Sequence, residues 1–441
     1  MRIYLNTLGC ARNLVDSEVM AAALIKSGAQ MTQDPADADT IVVNTCSFIE
    51  SAINESVDTI LALAVYKKTG NCRQLIVTGC LPERFGEDIA AAIPEVDIFL
   101  GTGAYDQITE AIAGRFDAGT CLLPPPASRP LPTKAAGRHP STYPVAYLKI
   151  GDGCNRHCTY CVIPKLRGRL RSREAADILA EAEDLAAQGF KEIILIAQDT
   201  SAYGLDLTPR QSLAGLLDRL AGILPHTRMR FLYGSPDYTD AALIAAVAKY
   251  SAVAPYFDLP VQHVSAPVLK RMGRQYAKPA LFQLFANIRA AAPEAVLRTT
   301  LLVGFPRETE SDFNELLEFL ETVRFDHVGV FVYSDADDLA SHNLPDHVPP
   351  EVARARYEIL MTRQAEISLK KNQNRIGKTY VVLVEDRIDD NLYVGRAAFQ
   401  APEVDGIIYI ESPDMRVGDF VNIRITEAYA YDLKGEPEWL T

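Results

Sequence analysis

The stretch Gly153-Cys154-Asn155-Arg156-His157-Cys158-Thr159-Tyr160-Cys161 sets three cysteines in a C-x-x-x-C-x-x-C pattern. Three thiolates this close in the chain can bind three irons of a four-iron cluster. The fourth iron then lacks a protein ligand and stays open for chemistry, whereas an electron-transfer ferredoxin closes all four corners. The apolar run Val145-Ala146-Tyr147-Leu148-Lys149-Ile150 just before the loop reads as a strand. That puts the cysteines at the carboxyl end of a strand, where α/β proteins build their sites. A zinc loop is the rival reading. Structural zinc sites pair their ligands across a spacer, and no second pair follows here. A site that used His157 would crowd four ligands into eight residues.

The first part of the chain alternates strand and helix. Ile3-Tyr4-Leu5, Ile41-Val42-Val43 and Leu75-Ile76-Val77 are short β-rich runs, with helical patterns over 17–26 and 51–65 between them. This is the order of a parallel sheet with crossover helices. Cys10, Cys46 and Cys80 each follow one of these strands. Parallel strands end on one edge, so the three cysteines are expected to converge although they are far apart in sequence. The competing reading is three buried core thiols. Cys72 precedes its strand and Cys121 leads into a proline-rich stretch, so neither is assigned to a metal.

The Cys154/Cys158/Cys161 spacing, with Tyr160 before the last cysteine, resembles the radical S-adenosylmethionine (SAM) superfamily. In that superfamily the open iron holds SAM, whose reductive cleavage yields a radical that abstracts hydrogen from carbon. With the Cys10/Cys46/Cys80 triad added, nearly the whole chain resembles the methylthiotransferase family of radical SAM enzymes. Leu8-Gly9-Cys10-Ala11-Arg12-Asn13-Leu14-Val15-Asp16-Ser17-Glu18 is similar to the protein-modifying branch. So are Asn44-Thr45-Cys46-Ser47-Phe48-Ile49-Glu50-Ser51-Ala52, Ile93-Pro94-Glu95-Val96-Asp97 and Ala430-Tyr431-Asp432-Leu433. The tRNA-modifying branch carries Tyr-Gly-Cys-Gln-Met-Asn at the first of these. Ala11 departs from the family, which often has proline there. The resemblance implies two 4Fe-4S clusters, on Cys10/Cys46/Cys80 and on Cys154/Cys158/Cys161, together with SAM. It implies a transferase that adds a methylthio group to the β-carbon of an aspartate in a basic small-subunit ribosomal protein. Such a C–H bond has no useful acidity, which is the physical reason for a radical cofactor.

Four units are expected. Residues 1–120 form the parallel α/β domain, and 121–142 a stiff, extended linker, since residues 121–144 hold seven prolines. Residues 143–375 form a partial (β/α)6 barrel with a trailing helix. Its strands are centred on 145–150, 193–196, 229–232, 256–259, 296–303 and 328–332. Residues 376–441 form a small antiparallel β-barrel that resembles the family's OB-like TRAM domain. Within the barrel the resemblance puts Gln198 and Asp199 on the methionine part of SAM, Gly304 near its adenosine and Tyr160 beside adenine. Arg167, Arg169, Arg171 and Arg173 form a basic run that reads either as a solvated face or as contacts to SAM or a carboxylate.

Charge bears on the partner. The net charge of −13 disfavours a general nucleic-acid binder. Residues 376–441 carry six basic against thirteen acidic side chains, a balance of −7, which suits a basic protein better than phosphates. The same reading makes this domain a dock whose removal leaves the cofactors and SAM cleavage intact. A tRNA adenosine methylthiotransferase and a non-catalytic iron–sulfur RNA-binding scaffold are the rivals. No apolar run reaches the roughly 18 residues of a membrane span. The N-terminus begins a strand, and eight cysteines without an export signal point to the reducing cytosol. A monomer supplied with electrons by flavodoxin or ferredoxin completes the expectation.

Overall fold

The computed structural model describes residues 1–438. The N-terminal sheet is wholly parallel. Its strands lie in the order Gln30–Met31, Arg2–Thr7, Thr40–Thr45, Gln74–Gly79, Ile98–Leu100 and Thr120–Leu122. The first helix, Ala11–Lys26, starts directly after Cys10 rather than at residue 17. Its early residues Asn13, Val15, Asp16, Ser17 and Glu18 are buried. Polar residues there hide the helix start from hydrophobic periodicity.

Two corrections follow at the linker. Cys121 is a strand residue of the N-terminal sheet, paired with Phe99. The prolines after it do not form a free spacer. The segment packs against the barrel, where Arg171 donates to the carbonyls of Pro126, Ala127 and Arg129. Arg129 is itself buried.

The central domain has the six expected parallel strands: Val145–Lys149, Glu192–Ile196, Arg228–Leu232, Tyr256–Asp258, Val296–Val303 and His327–Val332. They form two three-stranded ladders, and Met229 bridges to Val253 at the seam. Helices cover the outside. Glu310–Val323 shows why they form: Thr309 and Asp312 close a capping box, and Phe313, Leu316, Leu320 and Val323 recur on one buried face. These side chains join one continuous core under the sheet.

The C-terminal barrel is closed, in the order Thr379–Asp389, Leu392–Ala397, Ile408–Glu411, Leu433–Pro437, Phe420–Ala428. It is not wholly antiparallel, because Ile408–Glu411 pairs in parallel with Leu433–Pro437. That last strand reads Leu-Lys-Gly-Glu-Pro and carries no β pattern of its own, so it was invisible without its partners.

The barrel does not hang free. It seals the amino-end mouth of the central strands. Arg396 reaches Glu192 at 3.0 Å, and Arg230 holds the other oxygen of the same carboxylate at 2.9 Å. Asp405 accepts from Tyr256 Oη at 2.6 Å and faces Arg298 at 3.6 Å. Tyr147, Ile194, Tyr256 and Val296 share one apolar cluster with Phe399, Ala401 and Ile408. The expectation of a removable dock is therefore overturned: deletion would leave Glu192, Arg230 and Arg298 without their partners beside bared apolar surface. Among the described residues no helix is long and apolar enough to cross a membrane.

Candidate functional site

The cysteines of each triad come together. In the N-terminal domain Cys10 precedes Ala11–Lys26, Cys46 follows Thr40–Thr45, and Cys80 opens the helix Cys80–Phe85. Gly9 sits at φ +86°, and a Cβ there would lie 2.6 Å from Cys46 Cβ. Only glycine lets these two loops touch. Asn13 ties them, donating to Leu8 O at 3.0 Å and Thr45 O at 2.9 Å. Asn44 donates to Asn13 O and to Ser17 Oγ. Burial raises the Cys80 thiol to about 12, with Cys46 and Cys10 adding to the rise. Cys46 is also raised, chiefly by burial. Burial acts on Cys10 too, but Arg12 and Arg167 outweigh it, and that thiol falls below its ordinary value.

The second triad lies on a loop clamped at its base. Gly151–Asp152 pairs with Arg171–Ser172, and Cys154 N donates to Gly168 O at 3.0 Å. Cys161 is raised to about 12 by burial, with Cys158 and Cys154 contributing. Arg156 N donates to Cys154 Sγ at 3.4 Å, and its side chain reaches Asp199 at 2.9 Å. His157 is exposed. Thr159 is held from both sides, donating to Met272 O and accepting from Ser341 N.

A buried charge network links residues near the two triads. Asp16 takes Lys149 at 2.8 Å and Arg167 at 2.6 Å. Asp152 takes Lys149 at 3.1 Å and Arg129 at 3.4 Å. Arg167 Nη2 also points at Cys80 Sγ, 3.8 Å away. Both carboxyls are held below the usual carboxylate value, Asp152 well below it, because Lys149, Arg167 and Arg129 together outweigh burial. The solvated-face reading of the arginine run is thus wrong for Arg167 and Arg173, which are buried, and holds for Arg169, which is exposed. Arg173 pairs with Asp177 and Glu181. The pairing of Asp16 with Lys149 has no local sequence signal, since a polar residue in a helix start and a lysine in a strand look like surface. The short spacing of Asp16 and Ser17 to Cys10 was the available signal of nearness to the triad.

The expected SAM contacts are placed as follows. Gln198 Nε2 donates to Asp152 Oδ1 at 2.7 Å, while its Oε1 is buried and without a partner. Asp199 is occupied by Arg156 and Ser201. Tyr160 Oη accepts from Arg274 at 2.6 Å, and its ring meets Phe305 edge-on. Gly304 N donates to Glu308 at 2.6 Å, and a Cβ at this φ of +77° would strike Ala353 at 2.5 Å. Helix packing therefore accounts for that glycine. Cys72 lies against Gln74, and Cys121 near Glu83 and Glu87, both apart from the triads.

Among the described residues no three His, Cys, Asp or Glu side chains are arranged to hold a single metal ion. The donor set fits a larger anionic group better. Each triad offers three thiols, and Arg12 and Arg167 bring positive charge to the first.

Comparison with known proteins defines the class first. Residues 148–320 match the radical SAM superfamily, 376–437 the TRAM domain, and 2–101 the family described as Uncharacterized protein family UPF0004. The fold is shared with TsrM of Kitasatospora setae, a radical S-adenosylmethionine methyltransferase, at a TM-score of 0.54 and 16% identity over 75% of this chain and 74% of that one. OxsB, a cobalamin-dependent S-adenosylmethionine radical enzyme, aligns at 0.53 and 14%, over 83% and 56%. The ribosomal protein uS12 methylthiotransferase RimO of Desulfosudis oleivorans is 52% identical over 99% of this chain and 100% of its own length. That of Clostridioides difficile is 44% identical over 99% and 98%. The chain belongs to the RimO family of methylthiotransferases, enzymes that transfer a sulfur-containing group.

Proposed function

We propose that this enzyme adds a methylthio group to the β-carbon of an aspartate in ribosomal protein uS12. The observation that carries the reading is the pair of cysteine triads, joined by a buried charge network that runs from Asp16 and Cys80 to Lys149 and Arg167. Cys154, Cys158 and Cys161 would hold one four-iron cluster, and Cys10, Cys46 and Cys80 a second. When bound, the clusters and SAM supply the one-electron and sulfur chemistry that amino-acid side chains lack. The chain's own residues orient and shield. Asp152 fixes Gln198 by accepting from its Nε2, which leaves the buried Oε1 without a protein partner. Arg156 fixes Asp199 beside the Cys154 loop. Arg274 holds Tyr160 against Phe305, an apolar wall suited to a purine. The C-terminal barrel packs an apolar cluster over the amino ends of the central strands. The domain boundaries follow the same reading, 1–120, 143–375 and 376–441 about the 121–142 connection, except that the strand Thr120–Leu122 carries the first domain through residue 122. A monomer in the cytosol, served by flavodoxin or ferredoxin, is its setting.

The test uses the anaerobically reconstituted full chain, with uS12, SAM and a reductant. Intact-mass analysis is expected to show uS12 gaining one methylthio group, with bulk tRNA unmodified. The triple variant C10A/C46A/C80A is expected to keep about four of about eight irons and to cleave SAM without forming product. Modified tRNA with unmodified uS12 refutes the substrate. Unchanged iron in the triple variant refutes the ligand assignment.

A further inference from the structure

Arg167 is the last residue of the helix Ile163–Arg167, which begins two residues after Cys161. It belongs to the radical SAM domain, yet its guanidinium lies among N-terminal residues. Nη1 pairs with Asp16 at 2.6 Å, and Nη2 faces Asn13 Oδ1 and, at 3.8 Å, Cys80 Sγ. It is 3% exposed. Val162 and Leu166 pack on Cys80 in one apolar cluster, so the helix cannot shift without carrying the cysteine with it. Arg167, Lys149 and Arg129 form ion pairs with Asp16 and Asp152, and Glu83 and Asp106 also feel the charge of Arg167 and Arg129. Of these cations only Arg167 points a donor at a cysteine sulfur. Arg12 brings a further positive charge beside Cys10.

We propose that Arg167 is a positioning residue that holds the Cys80 sulfur and sets the reduction potential of the cluster bound by the N-terminal triad. The inference rests on the two-cluster reading above. An iron–sulfur cluster becomes more negative on reduction. A fixed cation that donates toward a ligand sulfur, in a site closed to water, stabilises the reduced form and raises the potential. The cation comes from the helix that follows the other triad, so the two domains must be docked before the N-terminal site acquires its full potential. Asp16 acts in the opposite sense. Its carboxylate offsets Arg167 without touching a cysteine, so neutralising it exposes the site to more of the arginine's charge.

The experiment is an electrochemical titration of the reconstituted full chain, followed by electron paramagnetic resonance, on wild type, R167Q, R167K and D16N. Two redox centres are expected in the wild type. In R167Q one of them moves to lower potential and the other stays, R167K recovers part of the shift, and D16N moves the same centre upward. A purely structural role for Arg167 does not produce opposite signs in the two variants. Unchanged potentials in both R167Q and D16N, or shifts of the same sign, overturn the proposal. If R167Q fails to take up iron, the direction of the D16N shift decides alone. A wild type with one centre would instead overturn the two-cluster reading on which the proposal stands.

Discussion

Replacing Glu192 with Gln tests how the C-terminal barrel is held. Glu192 is fully buried and gives one oxygen to Arg230 at 2.9 Å and the other to Arg396 at 3.0 Å. Arg396 retains Glu385, but Glu192 is the one carboxylate within ion-pair distance of Arg230 among the described residues. Glutamine keeps the volume and turns one acceptor into a donor aimed at a guanidinium. Breaking a buried pair from one side costs about 3–5 kcal/mol. A second route gives a similar figure. Burial would raise the Glu192 carboxyl, but Arg396, Arg230 and Arg228 overcome it and bring it from 4.5 to about 2. A drop of that size corresponds to roughly 3 kcal/mol near neutral pH. Because the folded value is depressed, this stability is fully present above 4.5 and is lost as pH falls through about 2. Urea unfolding of the apoprotein, followed by circular dichroism, is therefore expected to show E192Q about 3 kcal/mol less stable at pH 7, with the gap narrowing below pH 4.5. The exposed pair Lys249–Asp218 is the control, with D218N within about 0.5 kcal/mol of wild type. A loss in E192Q no larger than the control, or one independent of pH, would refute the argument that this ionic contact locks the domains.

Other outcomes are expected. G9A places a methyl 2.6 Å from Cys46 Cβ at a left-handed backbone position, so it should lose the N-terminal half of the iron while SAM cleavage persists. Iron analysis and a cleavage assay decide, and full iron content refutes the contact. C72S and C121S should alter neither iron content nor turnover, because neither thiol is gathered with a triad. Loss of about half the iron in either variant would mean a wrong third ligand. Deleting residues 376–441 should yield unstable or insoluble protein, since it bares several core side chains at roughly 1.5–3 kcal/mol each. A soluble truncation that melts like wild type would restore the removable dock.

The sequence made visible whatever depended on local pattern. The strand ends of a parallel sheet brought Cys10, Cys46 and Cys80 together from three separate segments, because the direction of a parallel sheet follows from its crossovers. What stayed hidden depended on pairing between distant segments. Lys149 looks like an interruption in an apolar strand until Asp16, more than a hundred residues earlier, is seen to neutralise it. Leu433–Pro437 becomes a strand only when its neighbours close around it. The charge of the C-terminal domain shows the same limit. Its balance of −7 was legible, but not that Asp405 is turned inward onto Arg298 and Tyr256. Asp386, Asp389, Asp390, Glu411, Asp414 and Glu427 remain exposed. The interdomain ion pairs run in both directions: Asp405 of this domain faces Arg298 of the central barrel, and Glu192 of that barrel holds Arg396. They are buried, where salt has little access. The exposed carboxylates face solvent, where the field of any such charge is screened over the ~10 Å length of 0.1 M salt. Buried and exposed carboxylates of this domain therefore differ in dielectric surroundings rather than in residue type.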